Sequence, residues 1–291
     1  MNDAIRNLMA RYSCQTREDY LNALREILQE LALLGLWRAK FFDHAAFYGG
    51  TALRVIYGIE RYSEDLDFSL LAPTPGFTLE HFGEALEREI GSYGFNVVFE
   101  RRNKAGKTAI ESAFLKANTV REMIHIAVGE ELFFGLHPGT QLKIKIEVDS
   151  DPPGGFATET KYLLEPIAFP VRLYTLPDLF AGKLHAVLCR RWKSRVKGRD
   201  WFDLVWFAGR YPQVNLAHLE ERMRQSGHWT EHVPLDLPTL TNMLNEAVAK
   251  LDIDQARSEV APFVRDRRSL DVWSPDFFRS VIGRIRPVDP L

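Results

Sequence analysis

The chain of 291 residues is long enough for one large or two ordinary domains, and its composition, 46% hydrophobic and 26% charged, is typical of a soluble globular protein. The formal net charge of −2 excludes a globally basic nucleic-acid-binding protein, so any surface for nucleic acid has to be local. Two cysteines, Cys14 and Cys189, suit neither a disulfide framework nor a metal-ligand set and favour a reducing, cytoplasmic location.

The N-terminal segment predicts a long helix and no membrane anchor. The first residues lack the basic-then-apolar layout of a signal peptide, and no later apolar run reaches the length of a membrane span. From Thr16 to about Phe42 apolar residues recur at helical spacing, and Thr16 and Asp19 are placed to cap the helix. We expect this amphipathic helix to pack against a sheet.

Residues 45–71 predict a short buried strand (45–48), a helix (51–57) and a second strand (65–71). At the turn between the first strand and the helix, Gly49 and Gly50 let backbone N–H groups approach an anion closely. Thr51 opens the helix, whose N-terminus favours negative charge. The turn therefore predicts a phosphate cradle.

Two aspartates, Asp65 and Asp67, predict a metal clamp on the second strand. Side chains two apart on a strand point to the same face, so the two carboxylates project together and repel each other. A divalent cation such as Mg²⁺ relieves that repulsion and keeps phosphates among its ligands. A lone D-x-D pair or a lone Gly-Gly turn is common without function, but their order and spacing together favour a site for a nucleoside triphosphate.

Residues 78–151 predict a helix (78–93) and three strands (95–102, 108–116 and 141–151). The last strand alternates strictly between apolar and charged residues. By itself this pattern is typical of a half-buried strand with a solvated face. The apolar face has Ile144, Ile146 and Val148; the charged face has Lys143, Lys145, Glu147, Asp149 and Asp151.

The Pro/Gly cluster at residues 152–155 predicts a domain boundary, with one domain over 1–155 and a mainly helical one over 156–291. After strand-like sequence to Tyr174, residues 176–191 predict a helix, in which Lys183 has the pattern of an ordinary surface lysine. Seven basic residues and no acid lie between 183 and 199, which indicates either a positive patch or a solvated loop: Lys183, Arg190, Arg191, Lys193, Arg195, Lys197 and Arg199.

A further pair of acids, Asp200 and Asp203, lies near the start of the next predicted helix and shares one of its faces. Acids in a first helical turn commonly only complement the helix dipole. The rest of the chain predicts a helical bundle that ends in a helix over 273–285. The histidines are scattered and form no ligand set, so we do not expect a zinc enzyme.

Three separated segments resemble the nucleotidyltransferase superfamily and, more closely, the AbiEii/AbiGii toxins of bacterial toxin–antitoxin and phage-defence systems. The first segment reads G-G-T-A-L-R and then R-Y-S-E-D-L-D-F over residues 49–68. The second is K-I-E-V over 145–148, and the third extends from Lys183 to K-G-R-D-W-F-D-L over 197–204. The chain departs from many nucleotidyltransferases in having Thr51 in place of serine, which keeps the hydroxyl, and a longer gap to Asp65.

The resemblance implies an α/β (α+β) fold, in which a mixed sheet flanked by helices is followed by a helical C-terminal domain that completes the active-site cleft. It also implies Mg²⁺ or Mn²⁺ as cofactor. A third carboxylate on a neighbouring strand lets metal ions serve both the attacking oxygen and the triphosphate. The metal ligands implied are Asp65, Asp67 and Glu147, with Asp149 as the alternative third ligand.

The resemblance assigns further site residues by their places in the motifs. Asp200 and Asp203 line the active site, either orienting Lys183 or acting on the acceptor, and Lys183 also contacts the triphosphate. Nucleotide binding is implied for Gly49, Gly50, Thr51, Arg54 and Lys183. RNA binding is expected for Arg190, Arg191, Lys193, Arg195 and Lys197, with their positive charge on the phosphate backbone.

The expected reaction is transfer of a nucleoside monophosphate from an NTP to an RNA acceptor, with tRNA as first choice, by a toxin with a cognate antitoxin partner and no membrane association. Two alternatives stay open at this point. One is transfer to a protein or a small molecule. The other is a protein that binds nucleotide or antitoxin without turnover, against which the intact Asp65, Asp67 and Lys183 argue.

Overall fold

The computed structural model describes residues 3–95, 97–101, 110–117, 142–190 and 196–288, which form two compact units. The first consists of Met1–Gly58, Tyr62–Pro152 and Thr160–Leu173, and the second of Ile59–Arg61, Pro153–Glu159 and Tyr174–Leu291. Residues 160–173 follow the boundary expected near residue 155 yet belong to the first unit. The reason is strand pairing, because the strand that contains Leu173 lies beside the strand that contains Phe47.

The first unit is built on a seven-stranded mixed sheet. Its strands are β1 (Ala45–Tyr48), β2 (Asp65–Leu70), β3 (Val97–Arg101), β4 (Ile110–Ala117), β5 (Leu142–Asp149), β6 (Thr158–Leu163) and β7 (Phe169–Tyr174). Their order in the sheet is β3-β4-β5-β2-β1-β7-β6. Strand β2 pairs antiparallel with β1 and parallel with β5, and β4 is antiparallel to both β3 and β5. Helices flank the sheet, as the sequence predicts: α1 (Asp3–Ala10), α2 (Arg17–Arg38), α3 (Gly49–Tyr57) and α4 (Glu80–Ser92).

Helix α2 is the central helix of this unit. Thr16 and Asp19 form the expected capping box, in which the Thr16 hydroxyl accepts from the Asp19 N–H and the Asp19 carboxylate accepts from the Thr16 N–H. The helix packs against α4 and β5, and its whole middle is buried. At its C-terminal end Arg38 lies 2.8 Å from Glu89 of α4. The predicted packing of this helix on the sheet is therefore confirmed.

Aromatic side chains fill the core between the sheet and its helices. Phe41, Phe47 and Phe82 are buried, and Phe68 of β2 lies 4.9 Å from the Phe41 ring and 5.2 Å from the Phe47 ring. Full burial of each such ring contributes about 1.5–3 kcal/mol. Because Leu66 and Phe68 take the core side of β2, the alternate residues of that strand face the other way.

The second unit is mainly helical. Its helices are α5 (Leu176–Cys189), α6 (Gly198–Arg210), α7 (Leu216–Gln225), α8 (Leu237–Ala249), α9 (Ile253–Val260) and α10 (Pro275–Ile282). Helix α5 packs against α6, α7 and α8, and its Phe180 ring stacks on Phe207 of α6 with centroids 4.5 Å apart. Helices α6 and α9 approach closely, since a Cβ at Gly198 would lie 2.8 Å from the carbonyl carbon of Ala256. Strands β8 (Gln213–Val214) and β9 (Arg286–Pro287) form a short parallel pair.

No helix in the described parts of the chain combines the length and the apolar character that crossing a bilayer requires.

Candidate active site

Three carboxylates lie on one face of two neighbouring strands in the first unit. In the parallel pairing of β2 with β5, Asp67 is the register partner of Glu147, and Asp65 is the partner of Lys145. Register partners point to the same side of a sheet, and all four side chains are half-buried beside fully buried apolar neighbours. Asp149 is the partner of Ser69, one step further along, so Glu147 is the better placed of the two candidates for a third ligand.

The carboxylates on these strands fit a magnesium ion for which a bound substrate supplies the remaining ligands. Among the described residues, no group of three or more His, Cys, Asp or Glu side chains is arranged to hold a metal ion by itself. The Glu147 carboxylate contacts the Lys145 ammonium instead. Two aspartates on one strand face nevertheless suit Mg²⁺, which is commonly held by one or two carboxylates together with waters and substrate phosphates.

Gly49 brings the start of helix α3 against the carboxylate of Asp67. It has a φ of +83°, and a Cβ placed on it would lie 2.9 Å from both the Cβ and the Cγ of Asp67. The cause is the pairing of β1 with β2, in which Tyr48 is the register partner of Asp67. Only glycine fits at this position. Because glycine has no side chain, the first turn of α3 can lie next to Asp67 of the predicted metal clamp.

Two other predicted nucleotide-binding residues have protein partners in the structure. Thr51 is fully buried, and its hydroxyl donates to the backbone carbonyl of Asp65. The Arg54 guanidinium donates from Nε to Glu26 Oε2 over 2.7 Å and lies 5.0 Å from the centre of the Tyr62 ring. Their contacts with a nucleotide stay predictions.

Helix α2 supports the segment that leads into β2. Gln29 is 1% exposed, and its amide Nε2 donates to the carbonyl oxygen of Ser63 over 3.1 Å. The amide therefore holds the backbone two residues before Asp65. The sequence pattern placed Gln29 on a helix but gave no sign of this contact.

In the second unit Asp203 is shared between two cations. Arg61 donates to it through two nitrogens, Nε to Oδ1 and Nη2 to Oδ2, both over 2.6 Å. Lys183 Nζ lies 2.8 Å from Oδ2. Asp203 is completely buried, Arg61 is 3% exposed and Lys183 is 13% exposed at the side chain. The structure thus brings the predicted residues Lys183 and Asp203 together.

The charge state of Asp203 follows from these neighbours. Burial by itself would raise the pKa of Asp203, but the charges and hydrogen bonds of Arg61 and Lys183 outweigh burial, and the pKa is lowered. Burial would likewise lower the pKa of Arg61, and Asp203 more than compensates. Asp203 is therefore a fixed anion that orients cations, and it does not suit a proton-accepting role near neutral pH.

The other predicted acid and the basic residues around it lie nearby in the same unit. Asp200 is buried, with its Oδ2 3.5 Å from Arg190 Nη1. Burial lowers the pKa of Lys197, although Asp200 opposes the effect. Three further predicted RNA-binding residues, Arg191, Lys193 and Arg195, lie outside the described residues.

Arg61 is the residue of this cluster that the sequence left without a role. It belongs to the R-Y-S-E-D-L-D-F segment, but its partner Asp203 is 142 positions away. One signal was available. An aspartate that turns inward from an apolar helix requires a buried cation, and arginine is the residue that pairs with a carboxylate through two bonds.

Comparison with known proteins finds a matching family and eight similar solved chains, among them two from Helicobacter pylori. A candidate nucleotidyltransferase from Helicobacter pylori is 18% identical, with 89% of this chain and 90% of that chain covered at a TM-score of 0.44. The protein JHP933 from Helicobacter pylori is 19% identical, with 92% and 90% covered at a TM-score of 0.46. A search among curated proteins finds no match.

The family model of the AbiEii nucleotidyl transferase toxin matches residues 31–279. This range includes both aspartates of β2, Glu147 of β5 and the Arg61–Asp203–Lys183 cluster. The chain belongs to the AbiEii family, the nucleotidyl transferase toxins of type IV toxin–antitoxin systems.

Proposed function

We propose that the protein transfers a nucleoside monophosphate from an NTP to an RNA acceptor, with tRNA as the first candidate, and releases pyrophosphate. The observation that carries the proposal is the position of Asp67. It lies between Gly49 at the start of α3 and its register partner Glu147 on β5. A helix N-terminus beside a pair of strand carboxylates supports phosphate and Mg²⁺ binding at one place.

In this proposal Asp65 and Asp67 hold Mg²⁺, and Glu147 adds a third carboxylate once it leaves Lys145. When bound, the metal supplies positive charge to the phosphate oxygens as negative charge develops on them. The backbone N–H groups of Gly50 and Thr51 serve the phosphates, because the first turn of a helix leaves such donors without intrahelical acceptors. The buried Thr51 hydroxyl holds Asp65 instead.

Lys183 provides a cation for the triphosphate in the same proposal. Asp203 fixes the direction of its ammonium, and positive charge placed where negative charge develops lowers the barrier of phosphoryl chemistry. No covalent intermediate on the protein is needed.

The acceptor is the least constrained part of the reaction. The basic stretch over residues 183–199 supports RNA, because lysine and arginine neutralise a phosphate backbone. A cognate antitoxin follows from membership of a type IV system. We also propose a role in phage defence, since the family resemblance includes such systems.

A transfer assay tests the proposal. Purified protein is incubated with each α-³²P-labelled NTP, Mg²⁺ or Mn²⁺, and either total tRNA or total cell protein. We expect label on tRNA, loss of label with EDTA, and a fall of at least about 100-fold for Asp67→Asn, because removal of a metal ligand removes transition-state stabilisation.

The control is Asp254→Asn, which changes an exposed aspartate of α9 and should transfer label at the wild-type rate. Label on protein alone would replace the RNA acceptor by a protein. Equal inactivity of wild type and Asp67→Asn toward every NTP and acceptor would contradict catalysis and favour a protein that only binds.

A further inference from the structure

We propose that Arg61 is a positioning residue that neutralises Asp203 and thereby leaves the Lys183 ammonium with a net positive charge for the triphosphate. This inference rests on the proposed function. It makes the positive charge that Lys183 offers to the triphosphate depend on Arg61, a residue that was not among the predicted site residues.

The geometry shows which charge Arg61 offsets. Its guanidinium occupies both oxygens of Asp203 at 2.6 Å, whereas Lys183 reaches only Oδ2, at 2.8 Å. A bidentate arginine is the stronger partner of a carboxylate. Asp203 is fully buried, so water does not screen the competition between its two cations.

Two further acids that act on Arg61, Asp200 and Glu259, each lie close to another arginine. Asp200 lies 3.5 Å from Arg190, and Glu259 lies 3.8 Å from Arg199. Both acids also raise the pKa of Arg61 through their charge. With Arg61 assigned to Asp203, each of these three acids is matched to an arginine, and the Lys183 ammonium keeps its own charge.

The alternative is that Arg61 only stabilises the fold. The two roles differ in their response to a second change. Without Arg61, Lys183 is the remaining cation in direct contact with Asp203 among the described residues, and the pair is neutral. Removal of the Asp203 charge as well restores the net charge of Lys183, although it does not restore any buried ion pair. Recovery in the double variant therefore distinguishes charge balance from structural support.

The test uses the full chain and five variants: Arg61→Met, Arg61→Lys, Lys183→Met, the double variant Arg61→Met with Asp203→Asn, and the control Arg210→Met. Arg210 is the matched control because it is an arginine of the same unit as Arg61 but forms an exposed ion pair. Its side chain is 54% exposed and lies 3.9 Å from Glu60. Circular dichroism and thermal melts establish which variants fold.

The first measurement is equilibrium binding of each of the four ribonucleoside triphosphates in the presence of Mg²⁺. We expect Arg61→Met and Lys183→Met to weaken binding about 10- to 100-fold, the range of one charge-assisted contact. The double variant should recover most of the loss. Arg61→Lys keeps the charge but not the two-bond geometry, so its affinity should lie between those of wild type and Arg61→Met. Arg210→Met should stay within about threefold of wild type. A folded double variant that binds no better than Arg61→Met, or an Arg61→Lys variant as weak as Arg61→Met, would overturn the inference.

The second measurement needs no nucleotide. The rate at which an N-hydroxysuccinimide ester acylates Lys183 is followed by mass spectrometry. We expect slower labelling of Lys183 in Arg61→Met, because the amine is then held in a closed pair, and faster labelling in the double variant. Equal rates in wild type, Arg61→Met and the double variant would overturn the inference. If the wild type binds no NTP, the proposed function fails, and this labelling experiment still decides the role of Arg61.

Discussion

Gly49 is the residue at which the proposed catalytic geometry is most sensitive to substitution. Replacement by alanine adds a methyl group against Asp67 and strains a backbone whose φ is +83°. We expect Gly49→Ala to displace the Asp67 carboxylate and to lower nucleotide transfer at least about 100-fold, while the fold loses only about 1–2 kcal/mol from the left-handed conformation. The measurements are transfer rate and thermal melting.

Gly58 offers a matched control for this substitution. It also has a positive φ, +70°, but a Cβ there meets nothing within 4 Å. Gly58→Ala should therefore show a similar loss of stability with nearly full activity. If the two variants have the same activity, contact with Asp67 is not the reason for glycine at position 49.

The sequence predicted those features of single residues that depend on local periodicity. The alternation along β2 and β5 placed Asp65 and Asp67 opposite the core side, and the burial pattern agrees. The reason for Gly49 was not readable from sequence, because its neighbour Asp67 arrives through pairing of β1 with β2. The same holds for the Thr51 hydroxyl, which donates to a backbone carbonyl 14 positions away.

At the scale of elements, helix α2 combines a buried face with ionisable groups. Glu30 is 8% exposed and lies 2.6 Å from Arg11. Burial raises the pKa of Glu30 to about 6, with Glu26 and Glu165 adding to the rise and Arg11 opposing it. The helix therefore contains a carboxyl group that becomes protonated nearer to neutral pH than an ordinary glutamate does.

This pKa predicts a pH-dependent stability. A raised pKa in the folded state means that the stabilisation is present below the ordinary value of 4.5 and is lost as the pH rises through about 6. The loss amounts to about 2 kcal/mol. Urea unfolding at pH 4.5 and 7 should show this fall in wild type and not in Glu30→Gln.

Glu18→Gln is the control, an exposed change on the same helix that should keep the wild-type pH dependence. If Glu30→Gln also keeps the wild-type pH dependence, Glu30 is not the group responsible for the fall.

Elements with clear caps or flanking turns were predicted well, whereas one short helix was missed. The predicted strand over 45–48 matches β1, and the capping box of α2 begins the helix where the sequence placed it. Helix α3 begins at Gly49 rather than Thr51, and the eight-residue helix α1 was not predicted. Short helices have few residues from which a period can be recognised.

At the scale of the whole molecule, a net charge of −2 limits RNA binding to a local contact. If the five basic residues between 190 and 197 each meet one phosphate, the slope of log affinity against log salt lies between roughly −3.5 and −4.5. Fluorescence anisotropy with labelled tRNA measures this slope when the salt concentration is varied from about 50 to about 200 mM.

A double substitution tests whether this stretch is responsible. Lys193→Ala with Arg195→Ala should reduce the magnitude of the slope by roughly 1.4–1.8, whereas Arg286→Ala, an exposed change in β9, should leave the slope unchanged. A slope near −8 would indicate that a different and larger surface holds the RNA.

The fold class and the family were both predictable from sequence and are confirmed by the mixed sheet with its helices and by the match over residues 31–279. Periodicity and three motifs were sufficient for that result. The roles of the site residues stay predictions, because ligand contacts are not properties of a motif alone. Arg61 shows the limit most clearly, since the sequence around Asp203 indicates a need for a cation but not which residue, 142 positions away, supplies it.

That separation of 142 positions has a consequence for how the toxin is made. At a translation rate of about 5–20 residues per second, roughly 7–28 s pass between synthesis of Arg61 and synthesis of Asp203. During that interval the nascent chain contains an arginine whose buried counterion does not yet exist. A ribosome that stops before residue 203 therefore releases a fragment in which Arg61 has no Asp203 to pair with, so the ion pair is a property of the nearly complete chain.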